Sequence, residues 1–174
     1  MSLFDVSGLI LIAVDDKFTL EDEDGIEVHK ESIHRQFLDK YYTNESGHKE
    51  EIKKAVNDRN KSTEIAIPIG DKIFVLFAYS TQGNISDYKS KSAYRYGFIE
   101  ITDSIEKALD FCKDNFPGET IYSAPIGAKT QNQYSKGLIY SEVKAENRLK
   151  DLANKKRLNL VVIKELRYIN ARRR

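Results

Sequence analysis

Residues 120–133 decide the fold, and they read Thr-Ile-Tyr-Ser-Ala-Pro-Ile-Gly-Ala-Lys-Thr-Gln-Asn-Gln. The segment begins as a short apolar run, which predicts a strand over 121–126, and it becomes a polar loop after Gly127. A helical pattern follows over about 134–155. A strand, a glycine-containing loop and a helix in this order direct backbone N–H groups toward an anion at the helix N-terminus.

Four further strands can be read outward from this segment. Residues 8–14 are continuously apolar and β-rich, which predicts a strand buried on both faces of a sheet. Residues 65–69 and 73–80 flank a Gly-Asp-Lys turn and predict a hairpin. Pro68 places the first hairpin strand at an edge of the sheet, because proline cannot donate to a ladder. Residues 158–163 predict the last strand.

Helical patterns separate these strands. Ser32 is a good N-cap for a first helix, and a second charged helix is predicted over 49–59. Asp103 with Glu106 resembles a capping box and predicts the start of a third helix. The third helix carries an apolar stripe of Ile105, Ala108, Leu109, Cys112 and Phe116. Alternating strands and helices with one hairpin predict an α/β domain, with a mixed central sheet flanked by helices in three layers.

Composition limits the class of protein. The 174 residues suit one domain, 1–174, and 40% hydrophobic with 32% charged residues is typical of a soluble globular chain. A net charge of +1 gives no field favouring nucleic acid or a membrane surface. A single cysteine excludes an internal disulfide and is compatible with the cytoplasm, where we expect the protein to reside. Residues 168–174 form a basic tail, and the sequence leaves open that segments precede Met1.

Four strings, in their order and spacing, resemble the macro domain family. They are residues 9–16 as the first core strand and loop, 32–35 as a helix start, 67–78 as a hairpin, and 120–127 as a strand and second loop. The chain is most similar to the divergent macro-like branch found in bacterial anti-phage Thoeris-type effectors. The similarity runs over nearly the whole chain and implies a macro-like three-layer fold.

The resemblance implies a site for ADP-ribose or a related adenine dinucleotide between two loops, 25–32 and 127–133. It also implies a sensor that responds to a nucleotide made by a partner TIR-domain enzyme. The ligand-binding residues that follow from it are Asp15, Asp16, Val28, Lys30, Ser32, Gly127, Ala128, Lys129 and Thr130. We expect no metal, no cofactor and no nucleic acid, and the sequence leaves open a homo-oligomer.

Two loops depart from the family pattern. Ala128-Lys129-Thr130-Gln131 follows Gly127 where family loops are glycine-rich, and residues 28–31 stand where hydrolytic members carry a glycine run. Side chains in place of glycine block close backbone approach to a phosphate. We therefore expect a non-hydrolytic binding module with no catalytic residues. An ADP-ribosyl hydrolase, and a degenerate domain serving protein–protein interaction, are the alternatives.

Several residues can be interpreted as structural as well as functional. Gly127 also fits an ordinary strand-to-helix turn, and Asp15 and Asp16 also fit solvated turn acids. His34 fits a packing or capping histidine at a helix start better than a catalytic base. The polar segment 81–99, which is a candidate functional loop, carries tyrosines that could stack on an adenine or simply pack.

Other residues are assigned to structure. Cys112 lies on an apolar helical stripe and is predicted to be a core thiol. Ser123 lies on a strand without a nucleophile elbow, so it is not expected to act as a nucleophile. The acidic run 21–24 lacks the alternation of a calcium loop and is expected to be a solvated face.

Overall fold

The computed structural model describes residues 1–22, 32–79, 91–127 and 142–164, with the backbone alone described for 91–100. After a short 3₁₀ turn, Leu3–Asp5, the elements are β1 Gly8–Val14, α1 Ile33–Tyr41, α2 Lys49–Asn57, β2 Glu64–Ile69, β3 Lys72–Ala78, α3 Lys91–Asn115, β4 Ile121–Ser123, α4 Glu142–Lys155 and β5 Leu160–Val162.

Strand β1 lies at the centre of a five-stranded mixed sheet of order β2-β3-β1-β4-β5. It runs parallel to both β3 and β4, and β5 runs parallel to β4. Strand β2 is antiparallel to β3 and forms one edge, with Pro68 opposite Ile73, as predicted. The hairpin turns at Gly70 and Asp71, where Gly70 has a φ of +61° that suits glycine.

Side chains alternate along β1 between two apolar cores, so the chain is an α/β domain of three layers, as predicted. Ile10, Ile12 and Val14 pack with α1 and α2 on one face. Leu9 and Leu11 pack with α3 and α4 on the opposite face. This two-sided burial explains why β1 is continuously apolar rather than alternating in polarity.

The first core is aromatic at its centre. The ring of Phe74 on β3 lies 5.1 Å from that of Phe37 and 4.9 Å from that of Tyr41, measured between centroids. Phe37 and Phe74 are fully buried. Phe37, Leu38 and Tyr41 form the buried face of α1, and the helix is capped by Ser32, as predicted.

The start of α3 was predicted wrongly. The helix begins at Lys91, so Asp103 and Glu106 lie inside it and do not cap it, and residues 91–99 are helical rather than a loop. Ile101 is fully buried and continues the stripe one turn before Ile105. The polar composition of residues 81–99 and their lack of clear periodicity favoured the loop interpretation.

The outer strands are shorter than predicted. β4 ends at Ser123 rather than at residue 126, because Pro125 has no N–H to donate and the Ser123 hydroxyl donates to the Ala124 carbonyl at 2.7 Å. β5 spans only three residues. The predicted helix start at 134 lies outside the described residues, and α4 ends at Lys155, as predicted.

Candidate functional site

Strands β1 and β4 are parallel neighbours, and β1 continues to Val14, beyond the end of β4. Of the two predicted ligand loops, residues 25–31 and 128–133 lie outside the described residues. Leu11 on β1 pairs with Ser123 on β4 in a parallel register. The helix after β1 packs on one face of the sheet, and the helix after β4 packs on the other. Adjacent parallel strands whose helices diverge to opposite faces leave a crevice at their carboxyl ends, which is where open α/β sheets bind ligands.

The first loop, whose described part is residues 15–22 after β1, is closed by its own backbone and by Asp15. The Phe18 N–H donates to the Asp15 carbonyl at 3.1 Å, which makes a turn with Asp16 and Lys17 at its tip. The Asp15 Oδ1 accepts from the Lys17 N–H at 3.2 Å and from the Thr19 N–H at 2.9 Å. Of the two interpretations for Asp15, this geometry favours the turn acid. Asp16 is half-buried at the tip of the turn.

A buried histidine holds the same loop from the side of α1. Nε2 of His34 lies 2.8 Å from the Thr19 carbonyl oxygen, and since a carbonyl only accepts, Nε2 carries the hydrogen. His34 is 5% exposed. Burial lowers the pKa of His34 below 6.5, while the Asp15 charge and the Thr19 hydrogen bond raise it and Arg35 lowers it. The geometry is that of a packing histidine that joins α1 to the loop.

Phe18 stores strain in this loop. Its φ is +52°, a left-handed conformation that bulky residues rarely adopt, and its side chain is 3% exposed in the first core. The Arg59 guanidinium lies 4.7 Å from the centre of the Phe18 ring. Such strain costs about 1–3 kcal/mol and persists only where the surrounding contacts impose it. Nothing in the sequence distinguishes Phe18 as such a residue.

Ser32 is used as a helix cap. Its Oγ accepts from the Arg35 N–H at 3.0 Å, and its carbonyl accepts from the Gln36 N–H at 3.1 Å. Arg35 in turn pairs with Asp22 at 2.5 Å, which brings the end of the first loop's described part against the start of α1. Ser32 therefore lies near the Thr19 turn through its neighbours in α1, at the same sheet edge.

Gly127 begins the second loop in a left-handed conformation, with φ +82°. A Cβ at this position would collide with Nη2 of Arg148, and its centre would lie 3.4 Å from the Tyr79 hydroxyl. The same Nη2 donates to the Ile126 carbonyl at 3.3 Å. Tyr79 follows β3 and donates its backbone N–H to the Val14 carbonyl at 2.8 Å, so the ends of β3, β1 and β4 meet here.

Sequence reasoning missed Arg148. It lies 22 residues from Ile126 along the chain, and it is one of 28 lysines and arginines, so no local pattern distinguishes it. The nearest available signal was its position between buried Ala145 and Leu149 on α4, which places an arginine beside an apolar stripe.

Five predicted ligand residues lie outside the described residues, and they are Val28, Lys30, Ala128, Lys129 and Thr130. Of the other four predicted residues, Asp15 and Asp16 follow β1, Gly127 follows β4, and Ser32 caps α1, whose first turn contacts the loop after β1. The basic tail 168–174 and Tyr88 are outside the described part as well, and the side chains of Tyr94 and Tyr96 are not described.

Two potential nucleophiles are buried in the core. Burial raises the pKa of the Cys112 thiol to about 12, with a smaller contribution from Glu64, and Cys112 is 1% exposed. Ser123 is fully buried and donates its hydroxyl to a carbonyl. Across residues 1–22, 32–79, 91–127 and 142–164, no group of three histidine, cysteine, aspartate or glutamate side chains could hold a metal ion.

Within those same ranges, no helix has the length and apolar character needed to cross a membrane. No protein-family model matches the sequence. No curated protein matches it at a significant level. The geometry of the carboxyl edge and the sequence resemblance are thus what bears on function.

Proposed function

We propose that the chain is a non-hydrolytic binding module for ADP-ribose or a related adenine dinucleotide. The observation that carries the proposal is the parallel pairing of β1 with β4, whose helices diverge to opposite faces of the sheet. The resemblance to Thoeris-type macro-like effectors suggests the ligand class. It also suggests that a partner TIR-domain enzyme makes the ligand in anti-phage defence.

Binding without turnover is supported by what the described side chains do at this edge. Hydrolysis needs a group positioned to activate a water molecule. The Asp15 Oδ1 accepts two backbone N–H groups, and His34 Nε2 is directed to the Thr19 carbonyl. Both side chains therefore stabilise the loop backbone and are not assigned to a bond of the ligand that could be hydrolysed.

Asp16 is the residue of the first loop that we assign to the ligand. It stands at the tip of the turn closed by Asp15 and Phe18, and it is half-buried at the carboxyl edge. A carboxylate there can accept a hydrogen bond from an adenine amine or a ribose hydroxyl. Such a bond to a charged group contributes about 1.5–3 kcal/mol, or roughly tenfold or more in affinity.

Titration calorimetry with ADP-ribose tests the proposal, with adenosine and inorganic pyrophosphate as partial ligands. Asp16→Asn should weaken ADP-ribose binding by about tenfold. Asp114→Asn is the matched control, since Asp114 is exposed near the C-terminal end of α3, before β4 begins. This control should bind like the wild type.

The absence of heat and of any thermal shift at millimolar ADP-ribose would reject the proposal. Release of ADP-ribose from a modified protein would replace it with a hydrolase. A concentration-dependent dimer in sedimentation, with no nucleotide binding, would favour an interaction domain instead.

A further inference from the structure

We infer that Arg148 is a positioning residue for the turn at Ile126 and Gly127, where the second loop begins, and that Gly127 is glycine because the guanidinium occupies the space where a side chain would stand. The inference rests on the proposed function only in assigning the loop to ligand binding. Arg148 acts through the turn at Ile126 and Gly127 and is not assigned a contact with the ligand.

The contact joins two elements across the loop. Arg148 lies in the second turn of α4, between the fully buried residues Ala145 and Leu149. From there its Nη2 reaches the Ile126 carbonyl at 3.3 Å, and its Nε and Nη1 are buried. The guanidinium therefore fixes the point at which the chain leaves β4 relative to the helix to which it returns.

Gly127 is fitted to this contact in two ways. Its φ of +82° is a conformation that side chains disfavour, and Cζ of Arg148 lies 3.5 Å from the position of a Cβ, with Nη2 nearer still. The Tyr79 hydroxyl lies against the same position and is buried. An alanine would have to displace the guanidinium, because the hydroxyl side is already filled.

A glycine at the start of a ligand loop can leave room either for a phosphate of the ligand or for a side chain of the protein, and the two cases can be distinguished. If the glycine admits a phosphate, a Cβ blocks the ligand directly, whatever residue stands at 148. If it admits the guanidinium, a Cβ acts by moving Arg148, and its effect shrinks once Arg148 is shortened or uncharged. The two effects are then non-additive, as expected for residues in contact.

The test is a double-mutant cycle on the full chain with Gly127→Ala and Arg148→Met, measured as the dissociation constant for ADP-ribose. Arg148→Met should weaken binding by about tenfold, since a hydrogen bond from a charged donor is lost. Arg148→Lys should recover part of this loss, because an ammonium can still donate to the Ile126 carbonyl. Lys155→Met, at an exposed position on the same helix, is the matched control and should bind normally.

Gly127→Ala should weaken binding in the wild type and have a smaller further effect in Arg148→Met, since no guanidinium remains to be displaced. The left-handed backbone penalty persists in both backgrounds and cancels in the cycle. Wild-type affinity in Arg148→Met, or fully additive effects of the two changes, would overturn the inference while leaving the proposed function intact.

A wild type that does not bind ADP-ribose would reject the proposed function, and hydrogen exchange then decides the positioning role. Amides of residues 121–127 should exchange faster in Arg148→Met than in Lys155→Met. Equal exchange in the two variants would overturn the inference.

Discussion

Acidification should destabilise the protein through His34, and His34→Gln should remove that effect. The imidazole is 5% exposed and holds the Thr19 carbonyl through Nε2 at 2.8 Å. Burial is the largest cause that lowers its pKa below 6.5, the ordinary value, and the opposing Asp15 charge is the second. The folded protein therefore prefers the neutral ring more strongly than the unfolded chain does.

The sign and the size of the effect follow from proton linkage. Between the folded pKa and 6.5 the unfolded chain binds more protons, so the free energy of unfolding rises with pH across that window. The stabilisation is complete above 6.5 and is lost as the pH falls below it. One proton limits the slope to about 1.4 kcal/mol per pH unit, so the loss between pH 7.5 and 5.5 is at most about 1.4 kcal/mol. That loss corresponds to a fall in melting temperature of about 3–5 °C.

Urea unfolding of the wild type and His34→Gln at pH 5.5, 6.5 and 7.5 measures this difference. The glutamine amide can donate to the Thr19 carbonyl as Nε2 does, but it does not titrate. The gap in unfolding free energy between the two proteins should close as the pH falls. If the curves of the wild type and His34→Gln run parallel over this range, the assignment of a neutral buried His34 is wrong.

Three further changes have definite expected outcomes. Cys112, with its pKa raised to about 12 by burial, should not react with a disulfide reagent at pH 8 until urea unfolds the chain, and rapid native labelling would contradict its core position. Ser32→Ala should lower the unfolding free energy by about 1 kcal/mol, and Ser32→Asp should retain it, because both serine and aspartate cap a helix; equal stability of all three would exclude a capping role. Phe37→Ala should cost about 3–5 kcal/mol in urea unfolding, since the ring is fully buried against Phe74 and Tyr41, and a loss under 1 kcal/mol would contradict that packing.

The parts of the fold that the sequence predicted correctly are those set by local signals. The apolar run 8–14 predicts a strand because every side chain in it must be buried on one face or the other. The Gly70–Asp71 turn and the Ser32 cap depend on backbone groups within four residues of themselves. Local chemistry is sufficient for each of these elements.

The parts that the sequence predicted wrongly depend on neighbours. Residues 91–99 look polar and irregular, yet they are helical and continuous with the stripe that includes Ile101. Pro125 sets a limit on β4 that the sequence shows, but the ladder with β1 ends two residues earlier, at Ser123. The number of paired residues depends on both strands, so the sequence of one strand does not determine it.

The candidate site divides in the same way. The position of Gly127 after a strand was predictable from sequence, and its left-handed φ agrees with a glycine at that place. The contacts of Gly127 with Arg148 and Tyr79 were not, because they join segments far apart in the chain. Sequence pattern located the loop, whereas only the fold shows what holds it.

The residues that shape the two loops differ from those that would meet a ligand. Asp15 and His34 hold the first loop through its backbone, and Arg148 holds the second through the Ile126 carbonyl. Substitutions at these positions will weaken binding by displacing backbone, and they will change stability or loop exchange as well. A residue that contacts the ligand should change affinity directly, as we expect for Asp16. Affinity and stability should therefore be measured together on each variant. The two measurements distinguish residues that hold the loops from residues that contact the ligand, and affinity alone does not.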